Sequence, residues 1–270
     1  MTRIADRVRV FHELHQAGCF VIPNPWDIGS ARALAQLGFK ALATTSSGLA
    51  WSAGRADNHV DLEQVLAHLH AIASAVDVPV NADFEGGYAR DPQGVAANVE
   101  RAVSTGVAGL SIEDSTGDKN APLFDFGLAV ERIQAARAAI DKTRSGVVLT
   151  GRSEGFFVGK PDIKDTIMRL EAYAAAGADC LYAPGIRTKE DISAVVKAVA
   201  PKPVNLLVHG NWITVAQAAE LGVRRISIGG ALARKTWNAL TTAAQEIAEK
   251  GTFDNMVWTG APVDLNGLFR

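Results

Sequence analysis

Groups able to do chemistry recur directly after short apolar runs of this 270-residue chain. Asn24 and Asp27 follow the first such run, and Thr45, Ser46 and Ser47 the second. Asp83 and Glu85 follow the third, Glu113 and Asp114 the fourth, Arg152 and Glu154 the fifth, and His209 with Asn211 a later one. Carboxylates outnumber the arginine, and Asp83, Glu85 and Glu113 come from two adjacent runs. Like charges held within a few ångströms raise one another's pKa unless a cation neutralises them. A hard divalent ion with oxygen ligands and retained waters is their natural partner, Mg²⁺ or Mn²⁺. Beside them, the planar fork of Arg152 suits bidentate grip of a substrate carboxylate. The stretch TTSSGLA (44–50) reads as a hydroxyl-rich turn. Its backbone N–H groups, with Ser47 Oγ, suit a carboxylate or a developing enolate oxygen. A single acid of this kind would pair with a surface lysine or arginine; repetition past apolar runs points to a site.

Such a site requires a scaffold that brings the ends of the runs together. The segments LGFKALATT (37–45), TGVAGLSIED (105–114), AGADCLYAP (176–184) and LGVRRISIGG (221–230) share one grammar. Each follows helical periodicity, places Gly where a helix can end in a left-handed turn, and enters an apolar run. VDVPVNAD (76–83) and APKPVNLLV (200–208) use proline for the same purpose. The pattern predicts strands near 19–23, 40–44, 78–82, 108–112, 146–150, 179–183, 203–207 and 225–228. Helices are predicted over 28–37, 61–75, 94–104, 127–141, 163–175, 189–199, 214–221 and 231–249. Eight alternations, with strands reading as continuous apolar runs, predict a parallel (β/α)8 barrel. An open doubly wound sheet is the rival topology, and no Gly-x-Gly-x-x-Gly turn supports it. One barrel domain is expected over 1–250. An apolar tail over 251–270, with Trp258, Leu265, Leu268 and Phe269, is expected to pack on the barrel or on a neighbouring subunit.

Composition excludes several function classes. Hydrophobic residues make up 48% and charged residues 21%, which suits a globular core. A net charge of −2 supplies no basic field for nucleic acid or anionic lipid. Cys19 and Cys180 are the only cysteines, too few for a disulfide scaffold or a cysteine zinc site. Residues 1–15 lack a signal-peptide core, and no apolar run is long enough for a membrane span, so a cytoplasmic enzyme is expected. His68 and His70, two apart on a helix, face different directions and are read as structural. Gly229-Gly230 fits either a phosphate-binding turn or a tight strand-to-helix turn, and His209 either a structural or a catalytic role.

The runs PNPWDIGSARALAQLGFKALATTSSGLA, NADFEGGY and GLSIED, the arginine of GRSEGF, and ISIGGALAR together resemble the isocitrate lyase/phosphoenolpyruvate mutase superfamily, in the right order over about residues 18–240. The resemblance implies an α-oxycarboxylate substrate and a C–C or P–C bond made or broken beside an enolate. It places the direct metal ligand on Asp83 and water-mediated companions on Asp57, Glu85 and Glu113. It places carboxylate binding on Ser47, Gly48 and Leu49, with Arg152 on the substrate. The catalytic set it suggests is Arg152, Ser47 and Glu113. It also implies a last helix swapped between paired subunits in a dimer of dimers, hence a homotetramer.

Two departures bear on the reaction. The loop after the fourth strand, DSTGDKNAPLFD (114–125), lacks the cysteine and histidine of the isocitrate and methylisocitrate lyases. The sixth strand runs into Ala183-Pro184-Gly185 where the mutase has a histidine, though Lys119 and Asn120 are available for a gate. The sequence is similar to branches that bind a small α-keto acid. The expectation is a Mg²⁺-dependent carbon–carbon lyase or decarboxylase on a small α-keto or α-hydroxy dicarboxylate, with oxaloacetate decarboxylation the simplest case. The alternatives are a phosphonomutase on phosphoenolpyruvate or a carboxyphosphono analogue, and a non-catalytic α-keto acid-binding protein.

Overall fold

The structure, a computed structural model, describes residues 3–257, 260 and 263–269. Its elements in chain order are α1 (Ile4–Gln16), β1 (Phe20–Ile22), α2 (Ile28–Gln36), β2 (Leu42–Ala43), α3 (Ser46–Ser52) and α4 (Leu62–Ala75). Then come β3 (Val80–Asp83), α5 (Pro92–Ser104), β4 (Gly109–Glu113), α6 (Phe126–Thr143), β5 (Val148–Arg152) and α7 (Ile163–Ala175). The chain ends with β6 (Cys180–Tyr182), α8 (Lys189–Ala198), β7 (Val204–Leu207), α9 (Val215–Glu220), β8 (Arg225–Ser227), α10 (Ala231–Lys250) and α11 (Leu265–Leu268). All eight strands pair in parallel, in the order β1-β8-β7-β6-β5-β4-β3-β2. The two end strands are drawn together where Ala43 N–H donates to Pro23 O (3.0 Å) and Asn24 Nδ2 to Thr44 O (2.9 Å). The sheet thus curls into the expected, nearly closed (β/α)8 barrel.

Every strand lies within two residues of its predicted position. The helix-ending glycines explain this accuracy. Gly38, Gly106, Gly177 and Gly222 all adopt left-handed φ values, from 89° to 103°, which only a residue without Cβ reaches without strain. Helix starts are equally local. Asp61, Asp91, Asp162, Thr188 and Thr214 each cap a helix by accepting a first-turn backbone N–H.

Three helices, α1, α3 and α11, lie where the sequence predicts none. α1 carries Phe11, fully buried, beneath the strands. The stretch 44–50, read as a turn, instead caps and begins α3, with Thr45 at the cap. Hydroxyls favour both turns and N-caps, so composition does not separate them.

The apolar core lies between strands and helices, where Leu110, Ile112, Leu149, Ile133 and Ile140 are all buried. Inside the barrel the strands present polar groups, among them Asn81, Ser111, Thr150, Asn205, Arg225 and Ser227. Barrels usually fill this space with bulky branched residues. Here a cavity of about 670 Å³ opens at the C-terminal ends of the strands and reaches down to Arg225.

α10 buries only Ala233 and Glu246 of its twenty residues, leaving Trp237, Leu240 and Ile247 exposed. It does not serve as an ordinary barrel-covering helix. Glu246 folds the following segment back by accepting from Asp254 N (2.8 Å) and Asn255 N (2.7 Å). In the tail, Phe253, Leu265 and Phe269 are exposed and Leu268 is half-buried; Trp258 lies outside the described residues. Among the described residues no helix is long and apolar enough to cross a membrane.

Candidate active site at the barrel mouth

Strand register assembles the centre of the site. Arg152, at the end of β5, is paired with Glu113 on β4 and with Tyr182 on β6. Its Nη1 lies 3.2 Å from Asp83 Oδ1 and 3.2 Å from Glu113 Oε2, and its Nε donates to Glu154. Its guanidinium lies 5.1 Å from the centroid of the Tyr182 ring. Three protein carboxylates thus already meet the fork that is expected to hold a substrate carboxylate. Burial opposes its charge, but Glu154, Glu113, Tyr182 and Asp83 together hold the arginine's pKa well above its ordinary value.

Asp83 links this centre to α3. Its Oδ2 accepts from Ser46 N (2.9 Å) and its own N–H donates to Thr44 Oγ1 (2.9 Å). Ser47 Oγ lies 3.1 Å from Thr45 Oγ1 and lines the cavity. Gly48 N–H is directed to Thr45 Oγ1 (3.4 Å) rather than into the cavity, and Leu49 packs against the apolar core. Of Ser47, Gly48 and Leu49, Ser47 lines the cavity, and the helix that the sequence did not foretell turns the two residues after it inward. Gly230 explains the close approach of α10: a Cβ there would stand 2.7 Å from Ser47 Oγ. The Gly229-Gly230 turn therefore has a packing reason independent of any phosphate.

Glu85 sits on a left-handed backbone (φ 45°), as does Tyr88 (φ 55°), whose hydroxyl donates to Glu85 Oε1 (2.8 Å). Such conformations in non-glycine residues cluster at functional sites. Burial, then the charges of Asp83 and Asp57, push Glu85 up to about 7 against the Tyr88 hydrogen bond. Glu113 is raised by burial, with Arg152 opposing and Glu154 and Asp83 adding to the rise. Asp57, at the cavity rim, is raised by desolvation and then by Asp83. Three carboxylates, Asp83, Glu113 and Glu154, thus meet one arginine, and Asp57 and Glu85 lie within reach of their charge. Among the described residues no three His, Cys, Asp or Glu side chains converge to enclose an ion. An all-oxygen, negatively charged set without a tight cage suits a cation that keeps much of its water.

Other strand-end residues serve the frame. Asp114 is buried, accepting from Glu154 N (2.7 Å), Arg169 Nη1 (3.2 Å) and the Tyr173 hydroxyl (2.7 Å), and so fixes Glu154 behind Arg152. Asp27 caps α2, and Asn24 Oδ1 accepts from Ile228 N and Gly229 N, both at 2.9 Å. His209 lines the cavity and lies 2.8 Å from Arg187 Nη2; burial and that neighbouring charge lower its pKa. Asn211 is exposed, as are Lys119 and Asn120. These last two ride on a small hairpin in which Ser115 pairs with Leu123 and Thr116 N donates to Pro122 O (2.9 Å). His68 is half-buried and His70 exposed, and they share no partner.

The partnership of Glu154 with Arg152 escaped the sequence reading, although their i,i+2 spacing at a strand end was a usable signal. Tyr88 and Tyr182 carried no such signal, because aromatic residues after strands are usually core.

Comparison with known proteins identifies the family. Residues 11–248 match the family described as phosphoenolpyruvate phosphomutase. An uncharacterized protein of Mycobacterium tuberculosis is 36% identical over 222 residues, 81% of each chain. The oxaloacetate decarboxylase of Pseudomonas putida is 30% identical over 236 residues, 82% of this chain and 78% of that one. A Burkholderia cenocepacia protein described as a lyase/mutase superposes with a TM-score of 0.93 at 43% identity, covering 98% and 96% of the two chains. Oxaloacetate acetylhydrolase, solved with its product oxalate, gives a TM-score of 0.86 at 28% identity over 100% of this chain and 95% of that one. The chain belongs to the phosphoenolpyruvate phosphomutase family, and with it to the isocitrate lyase/phosphoenolpyruvate mutase superfamily of enzymes.

Proposed function

We propose that the protein is a Mg²⁺-dependent carbon–carbon lyase, cleaving a small α-keto dicarboxylate to a pyruvate-like enolate, with oxaloacetate decarboxylation the simplest form. The observation that carries this reading is the set of three carboxylates on Arg152, with Asp83 and Asp57 on the wall of one deep cavity. Such uncompensated charge suits a hard cation. The oxaloacetate decarboxylases and the oxalate complex among the relatives support the substrate class. Asp83 would hold Mg²⁺ (or Mn²⁺) directly, with Asp57, Glu85 and Glu113 acting through water. When bound, the ion supplies Lewis-acid polarisation of the α-oxycarboxylate. Arg152 faces the developing negative charge, with Glu154 keeping its guanidinium plane in place. Ser47 Oγ adds a hydrogen-bond donor beside Asp83.

A panel of α-keto, α-hydroxy and phosphono acids with Mg²⁺, followed by pyruvate release, tests the reading. Release from an α-keto dicarboxylate is expected. Conversion of a phosphono acid alone would favour the mutase alternative, which draws support from Arg234 and Lys235 on the cavity wall. Oxalate binding without any turnover would make the protein an α-keto acid binder.

Two further expectations belong to this reading. The 115–126 hairpin is expected to close as a lid, since water must be kept from a reactive enolate. Hydrogen exchange should show its backbone protected by oxalate with Mg²⁺; equal exchange in both states would remove the lid. The exposed apolar residues of α10 are expected to be covered by a second copy, in a cytoplasmic dimer of dimers. Sedimentation should give a tetramer, and a 28.5 kDa particle at micromolar concentration would contradict it.

A further inference from the structure

The polar interior of the barrel contains a buried cation that the proposed chemistry leaves unused. Arg225 is 3% exposed and lines the same cavity as Asp57, Asp83 and Arg152. Among the described residues no carboxylate forms an ion pair with it. Its partners are neutral: Nε donates to Asn205 Oδ1 (2.8 Å), Nη2 to Thr150 Oγ1 (3.1 Å), and Nη1 lies 3.3 Å from His15 Nε2. His15 Nδ1 lies 2.7 Å from the Phe11 carbonyl, so it carries the ring proton and leaves Nε2 as an acceptor. Burial, then the charge of Arg225, lower the pKa of His15 to about 3, so its ring brings no second charge.

These three contacts use one N–H of each nitrogen. A guanidinium has five, so Nη1 and Nη2 each keep one without a protein acceptor among the described residues. The partners come from α1, β5 and β7, and they fix the fork in place from three sides. A strut at the barrel floor would need no charge. An unpaired buried ion is costly, and bulky apolar side chains fill such interiors at less cost. An anion arriving through the cavity would complete the pair. Strand register gives the distance it must span. Thr150, which meets Arg225, stands two residues before Arg152 on β5. Two residues of strand rise about 6.6 Å, so the floor cation lies one layer of side chains below the carboxylates of the mouth. Three or four carbon–carbon bonds of about 1.5 Å each, with a charged hydrogen bond of about 2.8 Å at the floor, cover that step.

We propose that Arg225 forms a second anion subsite at the cavity floor, holding the distal carboxylate of a four- or five-carbon α-keto or α-hydroxy diacid whose α-oxycarboxylate end lies among the acids of the mouth. This rests on the function proposed above and deepens it, by naming the residue that reads the far end of the substrate. The cavity then has an order of charge that matches such a molecule. Acids at the mouth suit a cation that binds the α-oxycarboxylate, and a cation at the floor suits the second carboxylate. Between them Asn81, Ser111, Asn205 and Ser227 make the wall polar. Arg225 serves affinity and selection of length and charge, not bond cleavage. An α-keto acid with an apolar tail leaves the guanidinium unpaired, and oxalate is too short to reach it.

The test is titration calorimetry with Mg²⁺ and three probes: oxalate, 2-oxovalerate and 2-oxoglutarate. The last two share a five-carbon chain and differ in the distal carboxylate. The intact protein should bind 2-oxoglutarate at least about tenfold more tightly than 2-oxovalerate. Arg225→Met should abolish this preference, with the affinities for oxalate and 2-oxovalerate kept within about twofold. Ser111→Leu tests the same subsite without touching Arg225. Ser111 pairs with Thr150, so a leucine there fills the passage at the floor layer; it should remove the preference and keep oxalate binding. Equal affinity for the two five-carbon acids in the intact protein, or a preference that survives Arg225→Met, would overturn the subsite and leave the metal site standing. A preference lost in Arg234→Ala but kept in Arg225→Met would move the carboxylate to the rim and overturn it as well. Should Arg225→Met lose oxalate binding too, Ser111→Leu decides: preference lost with oxalate kept supports the subsite, and preference kept overturns it. Failure of the intact protein to bind oxalate with Mg²⁺ would overturn both the subsite and the function on which it rests.

Discussion

Asp83→Ala is expected to abolish Mg²⁺-dependent oxalate binding, with the far-ultraviolet circular dichroism of the barrel unchanged. Asp83 is the acid that reaches both Arg152 and the first amide of α3, so it stands at the centre of the negative cluster. Removing a directly coordinating carboxylate takes away both charge and a ligand atom, and hard divalent ions depend on few such ligands. Glu85→Gln and Glu113→Gln should weaken binding less, because a ligand acting through water contributes less than a direct one. Titration calorimetry at limiting Mg²⁺ distinguishes these variants. Unchanged oxalate affinity in Asp83→Ala would remove the residue from the metal site. Asp83→Asn offers a control that keeps the hydrogen bond from Ser46 N while removing the charge.

The second large effect is expected at Arg152. Losing one buried, charged contact costs on the order of 2–5 kcal/mol, so Arg152→Ala should weaken substrate binding or turnover by at least about thirtyfold. The structure adds a second consequence. The same substitution leaves Asp83, Glu113 and Glu154 facing one another without their shared cation. Breaking a buried ion-pair network typically costs about 3–5 kcal/mol, so the midpoint of thermal unfolding should fall as well, and added Mg²⁺ should recover part of the loss. Arg152→Lys should rescue activity only in part. A single ammonium can approach Asp83 and Glu113, but it cannot also supply the Nε–H that holds Glu154. Wild-type kinetics and wild-type unfolding in the lysine variant would exclude this role.

The two predictions differ in how much of each was readable beforehand. Asp83, Glu85, Glu113 and Arg152 were visible because they stand immediately after strands, and the C-terminal end of a barrel strand is where such groups converge. The pairing of Arg152 with Asp83, Glu113 and Glu154 was not visible. Strand register across β3, β4 and β5, together with the bend after β5, decides which carboxylate comes within 3.2 Å of which nitrogen. A sequence lists the charges; only register sets the distances between them.

α3 shows a second limit. Thr45, Ser46 and Ser47 suit a turn or a helix start equally well, and the choice is made by Asp83 Oδ2 receiving Ser46 N–H from another strand. The role expected of Gly48 and Leu49 depended on that choice. Likewise α10 has enough apolar residues to cover a barrel. In the structure it buries only Ala233 and Glu246, and Gly230 lets its start approach Ser47.

What the sequence by itself determined was the alternation of elements. Glycines at helix ends and prolines at strand entries act on their own backbone, so their effect is local and survives without tertiary context. The interior of the barrel was decided only by the tertiary structure. Asn205, Ser227 and Arg225 lie on apolar-looking strands, and nothing local marks them as a hydrogen-bonded column. They become one because parallel pairing places Asn205 opposite Arg225 and aims alternate side chains of neighbouring strands at the barrel axis. Contacts between residues twenty or more positions apart depend on closure of the sheet, and closure is a property of all eight strands at once.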